Sequence, residues 1–135
     1  MPRLTDSEIA RLRAALDPAT EAIAFAEGTE PPFSHPLNNE KRAGSFHCAV
    51  CGERAFASAH KYESGSGWPS FWQPAEPDAI STSTDYKLRY PRVEIHCANC
   101  GAHMGHVFTD GPPPTGQRYC TNGGVLDFHA DAGQD

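Results

Sequence analysis

Two Cys-X-X-Cys-Gly turns, at residues 48–52 and 97–101, constrain this chain more than any other feature of its sequence. They use four of its five cysteines. Each turn brings two sulfurs together, and its glycine permits the positive φ that points backbone amides at them. Two such turns supply the four soft ligands of a closed tetrahedral Zn²⁺ site. The sequence therefore predicts one structural zinc that joins two hairpins. Its predicted ligands are Cys48, Cys51, Cys97 and Cys100.

Paired cysteines have two other common uses. One is a redox motif of the thioredoxin type, but no βαβ pattern surrounds either pair. The other is a pair of structural disulfides, which suits secreted proteins. The first residues of the chain lack the apolar segment of a secretory signal, so we expect a reducing, cytoplasmic setting. Such a setting favours zinc thiolates and a free fifth cysteine.

Length and charge exclude several classes of protein. The 135 residues suit one domain, expected to span 1–135. No apolar run approaches the ~20 residues of a membrane-spanning helix, so we expect no membrane partner. The formal net charge is −6, and the lysines and arginines are scattered. A nucleic-acid surface needs clustered basic residues, so we expect no nucleic-acid partner either.

The pattern predicts two short helices followed by a β-rich remainder. Thr5 and Glu8 form a capping-box pattern ahead of apolar residues at helical spacing. A second helix is predicted at residues 19–27 and is ended by Gly28. The proline-rich segment 29–44 is predicted to be an ordered loop.

From Ser45 onward, short alternating runs predict antiparallel strands. Gly123 and Gly124 are predicted to form a hairpin turn between the last two strands. The predicted strands cover residues 54–58, 79–84, 92–96, 103–109, 117–122 and 125–128.

Cys120 is the one cysteine outside the two turns. A lone cysteine in a strand is more often a buried apolar residue than a nucleophile. Arg118 and Asn122, however, lie two positions away and share its face of a strand. A nearby cation lowers the pKa of a thiol. A face that carries a cation, a thiol and a carboxamide is poor core material, so Cys120 is a candidate nucleophile.

His103 and His106 are candidate proton donors. In a regular strand they point to opposite faces, but a bulge at Gly105 would bring them together. The alternative is one buried and one surface histidine. Trp68, in a Gly- and Pro-containing loop, either covers the core or forms an apolar wall for a ligand methyl group next to sulfur.

Motifs in a fixed order over roughly residues 4–128 resemble those of the B-type methionine sulfoxide reductases, which reduce the R epimer of methionine sulfoxide. Several short motifs carry the resemblance together. They are Thr-Glu-Pro-Pro-Phe at 29–33, the two cysteine turns, Lys-Tyr-Glu-Ser-Gly-Ser-Gly-Trp-Pro-Ser-Phe at 61–71, Arg-Val-Glu at 92–94, Ala-His-Met-Gly-His-Val-Phe at 102–108, Asp-Gly-Pro at 110–112 and Arg-Tyr-Cys-Thr-Asn at 118–122.

The resemblance implies a mainly β fold, the β-tent of two antiparallel sheets, with short N-terminal helices and a structural zinc remote from an open pocket. It makes Cys120 the nucleophile and places the substrate methyl group against Trp68. It also implies that Arg118 and Asp110 orient His106 and the thiolate. The residues implied to line the pocket are His103, His106 and Asn122.

The implied reaction is reduction of methionine-R-sulfoxide, in small molecules or in oxidised proteins, through a sulfenic acid on Cys120. Many family members carry a resolving cysteine where this chain has Ser66, and a serine where it has Gly123. A one-cysteine enzyme is therefore expected, restored by thioredoxin or a small thiol and working as a monomer.

The alternative is a non-catalytic, zinc-containing β-tent binding module, which the fold alone does not exclude. A pure binding module does not need a thiol, however. The combination of Cys120 with Trp68 and two histidines therefore favours an enzyme.

Overall fold

The computed structural model describes residues 2–131, in which two short helices accompany two antiparallel sheets. Helix α1 spans Asp6–Ala14 and helix α2 spans Pro18–Ala26. The predicted capping box is present at α1, where the Thr5 side chain accepts from the Glu8 amide and Glu8 accepts from the Thr5 amide. Neither helix has the length and apolar character that crossing a bilayer requires.

Helix α2 ends differently from the prediction, which placed the helix terminus at Gly28. Glu27, not Gly28, takes the left-handed conformation, with φ 54°. Gly28 is needed for space, because a Cβ there would lie 2.8 Å from the Ala22 carbonyl oxygen. The left-handed turn leaves the Glu27 carboxylate 2.9 Å from Lys87 Nζ.

The described strands form one sheet of three strands and one of six. The three-stranded sheet has the order β2-β1-β9, and the six-stranded sheet has the order β3-β4-β8-β7-β6-β5. A mainly β fold of two antiparallel sheets with short N-terminal helices is therefore confirmed. The strands are β1 Gly44–Cys48, β2 Arg54–Ala57, β3 Lys61–Tyr62, β4 Ser70–Phe71, β5 Ile80–Asp85, β6 Arg92–Cys97, β7 His103–Phe108, β8 Arg118–Thr121 and β9 Leu126–Ala130.

Aromatic rings fill the space between the sheets. Phe46 and Phe56 come from the three-stranded sheet, Phe71 comes from the six-stranded sheet, and all three are fully buried. The Phe56 and Phe71 rings stack at 4.3 Å, and Phe46 meets Phe71 edge-on at 5.0 Å. Such ring pairs stabilise a core by more than their buried area alone. The core thus fixes how the two sheets lie against each other.

The predicted hairpin at Gly123 and Gly124 is wrong. Gly123–Val125 is a 3₁₀ turn that carries the chain from β8 in one sheet to β9 in the other. The Glu30 carboxylate accepts from both glycine amides at 2.9 Å and holds this turn. A Cβ on Gly123 would lie 2.4 Å from the His35 ring, so the imidazole occupies the space that a side chain would need.

Candidate active site and metal centre

Four sulfurs meet where the β1–β2 turn approaches the β6–β7 turn. The Sγ atoms of Cys48 and Cys100 lie 3.7 Å apart, and those of Cys51 and Cys97 lie 3.6 Å apart. A disulfide bond is ~2.05 Å long, so these contacts are not disulfides. Four sulfurs placed tetrahedrally at ~2.3 Å from one ion lie ~3.8 Å apart. The cluster therefore has the spacing of a four-thiolate metal site.

The backbone of the two turns agrees with this assignment. Gly52 has φ 82° and Gly101 has φ 81°, the positive values predicted from the sequence. The two turns belong to different sheets. A metal ion held by all four sulfurs would therefore cross-link the two sheets at one end.

A row of polar side chains crosses the six-stranded sheet. The strand register sets Glu94 opposite His106, His106 opposite Cys120, and Cys120 opposite Ser70. Directly opposed residues of an antiparallel pair share a face, with Cβ atoms about 5 Å apart. Strand pairing alone therefore brings the thiol beside a histidine, although the two lie in different sequence motifs.

The centre of this row borders a cavity of about 400 Å³. The predicted site residues that line it are Trp68, His106, Arg118, Cys120 and Asn122. His103 and Asp110 are not among the lining residues within the described part of the chain. His103 is 3% exposed and lies behind His106, with the ring centroids 5.7 Å apart.

The predicted bulge near Gly105 is present. Gly105 pairs with Ile95 and His103 pairs with His96, which leaves Met104 as the extra residue of β7. This irregularity accounts for two histidines three positions apart whose rings are in contact. Gly105 also allows a close approach of β7 to β8, because a Cβ there would lie 2.0 Å from the Cys120 carbonyl oxygen.

The thiol of Cys120 is half-buried, and this burial raises its pKa. The Arg118 charge, with hydrogen bonds from Ser66 and Arg118, acts in the opposite direction. The expected lowering by Arg118 is therefore present but outweighed by desolvation. Asp110 holds Arg118 through two contacts, at 2.9 and 3.2 Å, and the guanidinium lies 4.4 Å from the Phe108 ring centroid.

The carboxylate that contacts His106 is Asp85, not Asp110 as the resemblance implied. His106 Nε2 lies 3.0 Å from Asp85 Oδ2, which also accepts from Arg92 at 3.0 Å. The Lys87 amide and His106 hydrogen bonds lower the pKa of Asp85 to about 2. Asp110 instead contacts Arg118, so the two predicted supports form an ion pair with each other.

Both histidines favour the neutral form. Burial lowers the pKa of His103 to about 4. Burial also lowers the pKa of His106, and the hydrogen bond that His106 donates to Asp85 acts in the opposite direction. A neutral imidazole can act as a general acid only after it has been protonated by another group.

Glu30, which is outside the predicted set, forms backbone hydrogen bonds with two residues that line the cavity. The Glu30 carbonyl oxygen accepts from Trp68 Nε1 at 3.0 Å, and the Glu30 amide donates to Asn122 Oδ1 at 3.1 Å. Asn122 Nδ2 also donates to the Met104 carbonyl at 3.1 Å. Glu30 was visible only as part of the motif at 29–33, and Asp85 only as the residue after a predicted strand. Nothing in their spacing pointed to these contacts.

The comparisons with known proteins agree with the site. The SelR domain matches residues 16–130, and the chain belongs to that family. A protein of Thioalkalivibrio sulfidiphilus, named peptide methionine sulfoxide reductase MsrB, is 50% identical over 88% of this chain and 87% of its own length. A protein of the same name from Pseudomonas putida is 48% identical over 91% of this chain and 92% of its own length. The resemblance to the B-type methionine sulfoxide reductases, a family of enzymes, is thus confirmed.

Proposed function

We propose that this chain reduces methionine-R-sulfoxide, free or within oxidised proteins, to methionine. The observation that carries the proposal is the position of Cys120, directly opposite His106 on a cavity that Trp68 also lines. This combination supplies a nucleophile, an acid–base group and an apolar surface for an S-methyl group. The names of the relatives support the same reaction class.

In the proposed step the Cys120 thiolate attacks the sulfoxide sulfur. A protonated histidine, His106 at the cavity, donates its proton to the sulfoxide oxygen, because protonation makes the sulfur electrophilic. The oxygen is transferred to the Cys120 sulfur, the S–O bond of the substrate breaks, and methionine leaves. Two electrons pass to the substrate sulfur, and Cys120 is left as a sulfenic acid.

The other polar groups prepare this step. Arg118, held by Asp110, supplies positive charge beside the thiolate and so favours ionisation of Cys120. Asn122, fixed by Glu30 and Met104, offers a rigid carboxamide edge to the cavity. His103 lies behind His106 and acts through it, not on the substrate.

The sulfenic acid requires an external thiol. Ser66, which lines the cavity together with Cys120, stands where many family members carry the resolving cysteine. The other four cysteines are in the sulfur cluster. Thioredoxin or a small thiol would therefore attack the sulfenic acid directly, and the chain would work as a one-cysteine reductase.

The metal is proposed to be one Zn²⁺ held by Cys48, Cys51, Cys97 and Cys100. Sulfur–sulfur distances of 3.6 and 3.7 Å fit four thiolate ligands around this ion. The ion would be structural, since a closed four-thiolate sphere leaves no open position for a substrate.

The test is a turnover assay with each epimer of a blocked methionine sulfoxide, with either dithiothreitol or thioredoxin as reductant. We expect turnover of the R epimer only. Binding of the R epimer without any turnover would favour the non-catalytic binding module instead, and turnover of the S epimer alone would contradict the proposal.

A further inference from the structure

Glu94, a buried carboxyl group beyond the cavity, has no part in the steps above. It is 6% exposed and stands on β6, opposite Ser83 of β5 and opposite His106 of β7. Its Oε1 lies 3.2 Å from His103 Nδ1, yet the geometry leaves both atoms without a hydrogen bond. Buried polar atoms without partners cost free energy and are rare. Two that face each other mark a place where a proton can be added or removed.

Glu27 connects this carboxyl group to solvent. It is exposed, and Glu27, Glu94 and His103 each offer an atom within 4.8 Å of the others. Two carboxyl groups this close favour a proton on one of them, because two negative charges at this distance repel each other. Burial, and after it the contact with Glu27, raise the pKa of Glu94 to about 7. The pair therefore gains and loses a proton in the neutral range.

The other side of Glu94 faces the active site. Asp85, Glu94 and His106 each offer an atom within 4.8 Å of the others, a gap that one water molecule can span. His103, already 3.2 Å from Glu94, touches His106 ring to ring. The titratable and charged groups that surround Glu94 are Glu27, Asp85, Lys87, His96, His103 and His106.

We propose that Glu27 and Glu94 form a proton supply route from solvent to the His103–His106 pair. The inference rests on the proposed reduction, in which each turnover takes one proton from a histidine. Glu94 then transfers its carboxylic proton to the imidazole, directly to His103 Nδ1 or across one water to His106. Glu27 passes a replacement proton from solvent to Glu94, and no electron moves in either transfer.

The route is tested by single-turnover kinetics. Reduced protein is mixed with excess methionine-R-sulfoxide without reductant, and Cys120 oxidation is followed by dimedone trapping and mass spectrometry across the neutral pH range. In the parent, the rate falls as pH rises through about 7, because Glu94 loses the proton that it must supply. Glu94→Gln keeps the size of the side chain but carries no proton. We expect it to be slower by about tenfold or more, with no inflection near that pH.

Two further variants and one addition separate proton supply from structure. Imidazole in the buffer is expected to restore part of the lost rate in Glu94→Gln, since it can load the histidines from solvent. Glu27→Gln is expected to be slowed less and to be rescued in the same way. Glu21→Gln is the matched control and should behave like the parent, since Glu21 lies on helix α2, which Glu27 follows directly, but pairs with Arg13.

A parent-like rate and pH profile in Glu94→Gln would overturn the route, and so would a slow rate that imidazole does not raise. If that variant does not fold, Glu94→Asp and Glu27→Gln decide. The route is supported if Glu94→Asp keeps the inflection in its pH profile and if imidazole restores the rate lost in Glu27→Gln. Any other pattern overturns it. A parent protein that does not oxidise Cys120 at all would instead reject the proposed reduction.

Discussion

The indole Nε1 of Trp68 donates a hydrogen bond to the Glu30 carbonyl oxygen at 3.0 Å. The Glu30 amide also donates to Asn122 Oδ1. The Glu30 carboxylate accepts from the two backbone amides that follow Asn122. One residue of the N-terminal segment thus positions groups on two sides of the cavity. The orientation of the indole is set by a backbone contact that a side-chain replacement at Trp68 can remove selectively.

Replacement of Trp68 should therefore have two separable effects. Trp68→Ala removes the apolar wall and should lower kcat/KM for the R-sulfoxide strongly. Trp68→Phe keeps an aromatic face but loses the hydrogen bond to Glu30, worth about 1 kcal/mol, and should lower kcat/KM about fivefold. Steady-state kinetics on both variants measure this. Equal losses in the two would mean that ring orientation, not apolar contact, determines binding.

Cys120→Ser should abolish sulfoxide reduction and leave the fold intact. A hydroxyl is far less ionised than a thiol at neutral pH and is a much weaker nucleophile. Zinc content and melting temperature should match the parent, since Cys120 lies outside the sulfur cluster. The assay is turnover with dithiothreitol, alongside thermal unfolding. Substantial remaining turnover would place the reactive group elsewhere.

Loss of a metal ligand should instead destabilise the whole domain. Purified parent protein should contain one zinc per chain by elemental analysis. Binding of structural zinc is coupled to folding with about 10 kcal/mol or more in small zinc domains, so Cys97→Ser should lower the melting temperature sharply. A zinc-free parent whose four cysteines are oxidised would contradict the assignment.

Local features of this fold were predictable because they depend on neighbouring residues. The capping box at Thr5, the glycines of the two cysteine turns and the bulge beside Gly105 follow from spacing and backbone geometry, and all are present. The turn at Gly123 was mispredicted because a pair of glycines does not reveal that the next strand lies in the other sheet.

Contacts between distant segments were not predictable in the same way. Asp85 reaches His106 across two strand pairings, and its role depends on sheet order, which the sequence does not state. The net pKa of Cys120 was also out of reach. Arg118, two residues before Cys120, indicated a lowered thiol pKa. Desolvation, which raises that pKa, depends on the residues that the folded protein places around the thiol.

The stability of the protein should depend on pH through Glu94. Its folded pKa of about 7 lies above the ordinary value of 4.5, so its stabilising contribution is complete below that ordinary value and is lost as pH rises through about 7. The difference in unfolding free energy between the parent and Glu94→Gln should change by up to about 3 kcal/mol over this window. Urea unfolding at several pH values measures it.

His103 contributes to stability with the opposite sign. Its folded pKa of about 4 lies below the ordinary 6.5, so its contribution is present above 6.5 and is lost as pH falls through about 4. Because Glu94 Oε1 lies 3.2 Å from His103 Nδ1, the two contributions are coupled. The comparison of Glu94→Gln with the parent is therefore clearest above pH 6.5, where the contribution of His103 is complete. A difference between the two proteins that does not change with pH would contradict a buried, titrating Glu94.

If the chain works as the proposed one-cysteine reductase, Ser66→Cys should convert it into a two-cysteine enzyme. Ser66 lines the cavity with Cys120 and contacts Ser70, the residue paired with Cys120, so a sulfur introduced at position 66 should lie within reach of a sulfenic acid on Cys120. After one equivalent of methionine-R-sulfoxide without reductant, the parent should give a dimedone adduct on Cys120 and retain its zinc. The variant should instead give a disulfide between position 66 and Cys120, with loss of one water and no adduct.

Ser64→Cys is the matched control for this experiment, because the Ser64 hydroxyl contacts Ser66 and Ser70 at 2.8 Å and is one step removed from the thiol. It should retain the dimedone adduct of the parent. Peptide mapping by mass spectrometry distinguishes the products. A disulfide from Cys120 to any cysteine of the sulfur cluster in the parent, with release of zinc, would show that the metal ligands resolve the sulfenic acid and would reject the one-cysteine cycle.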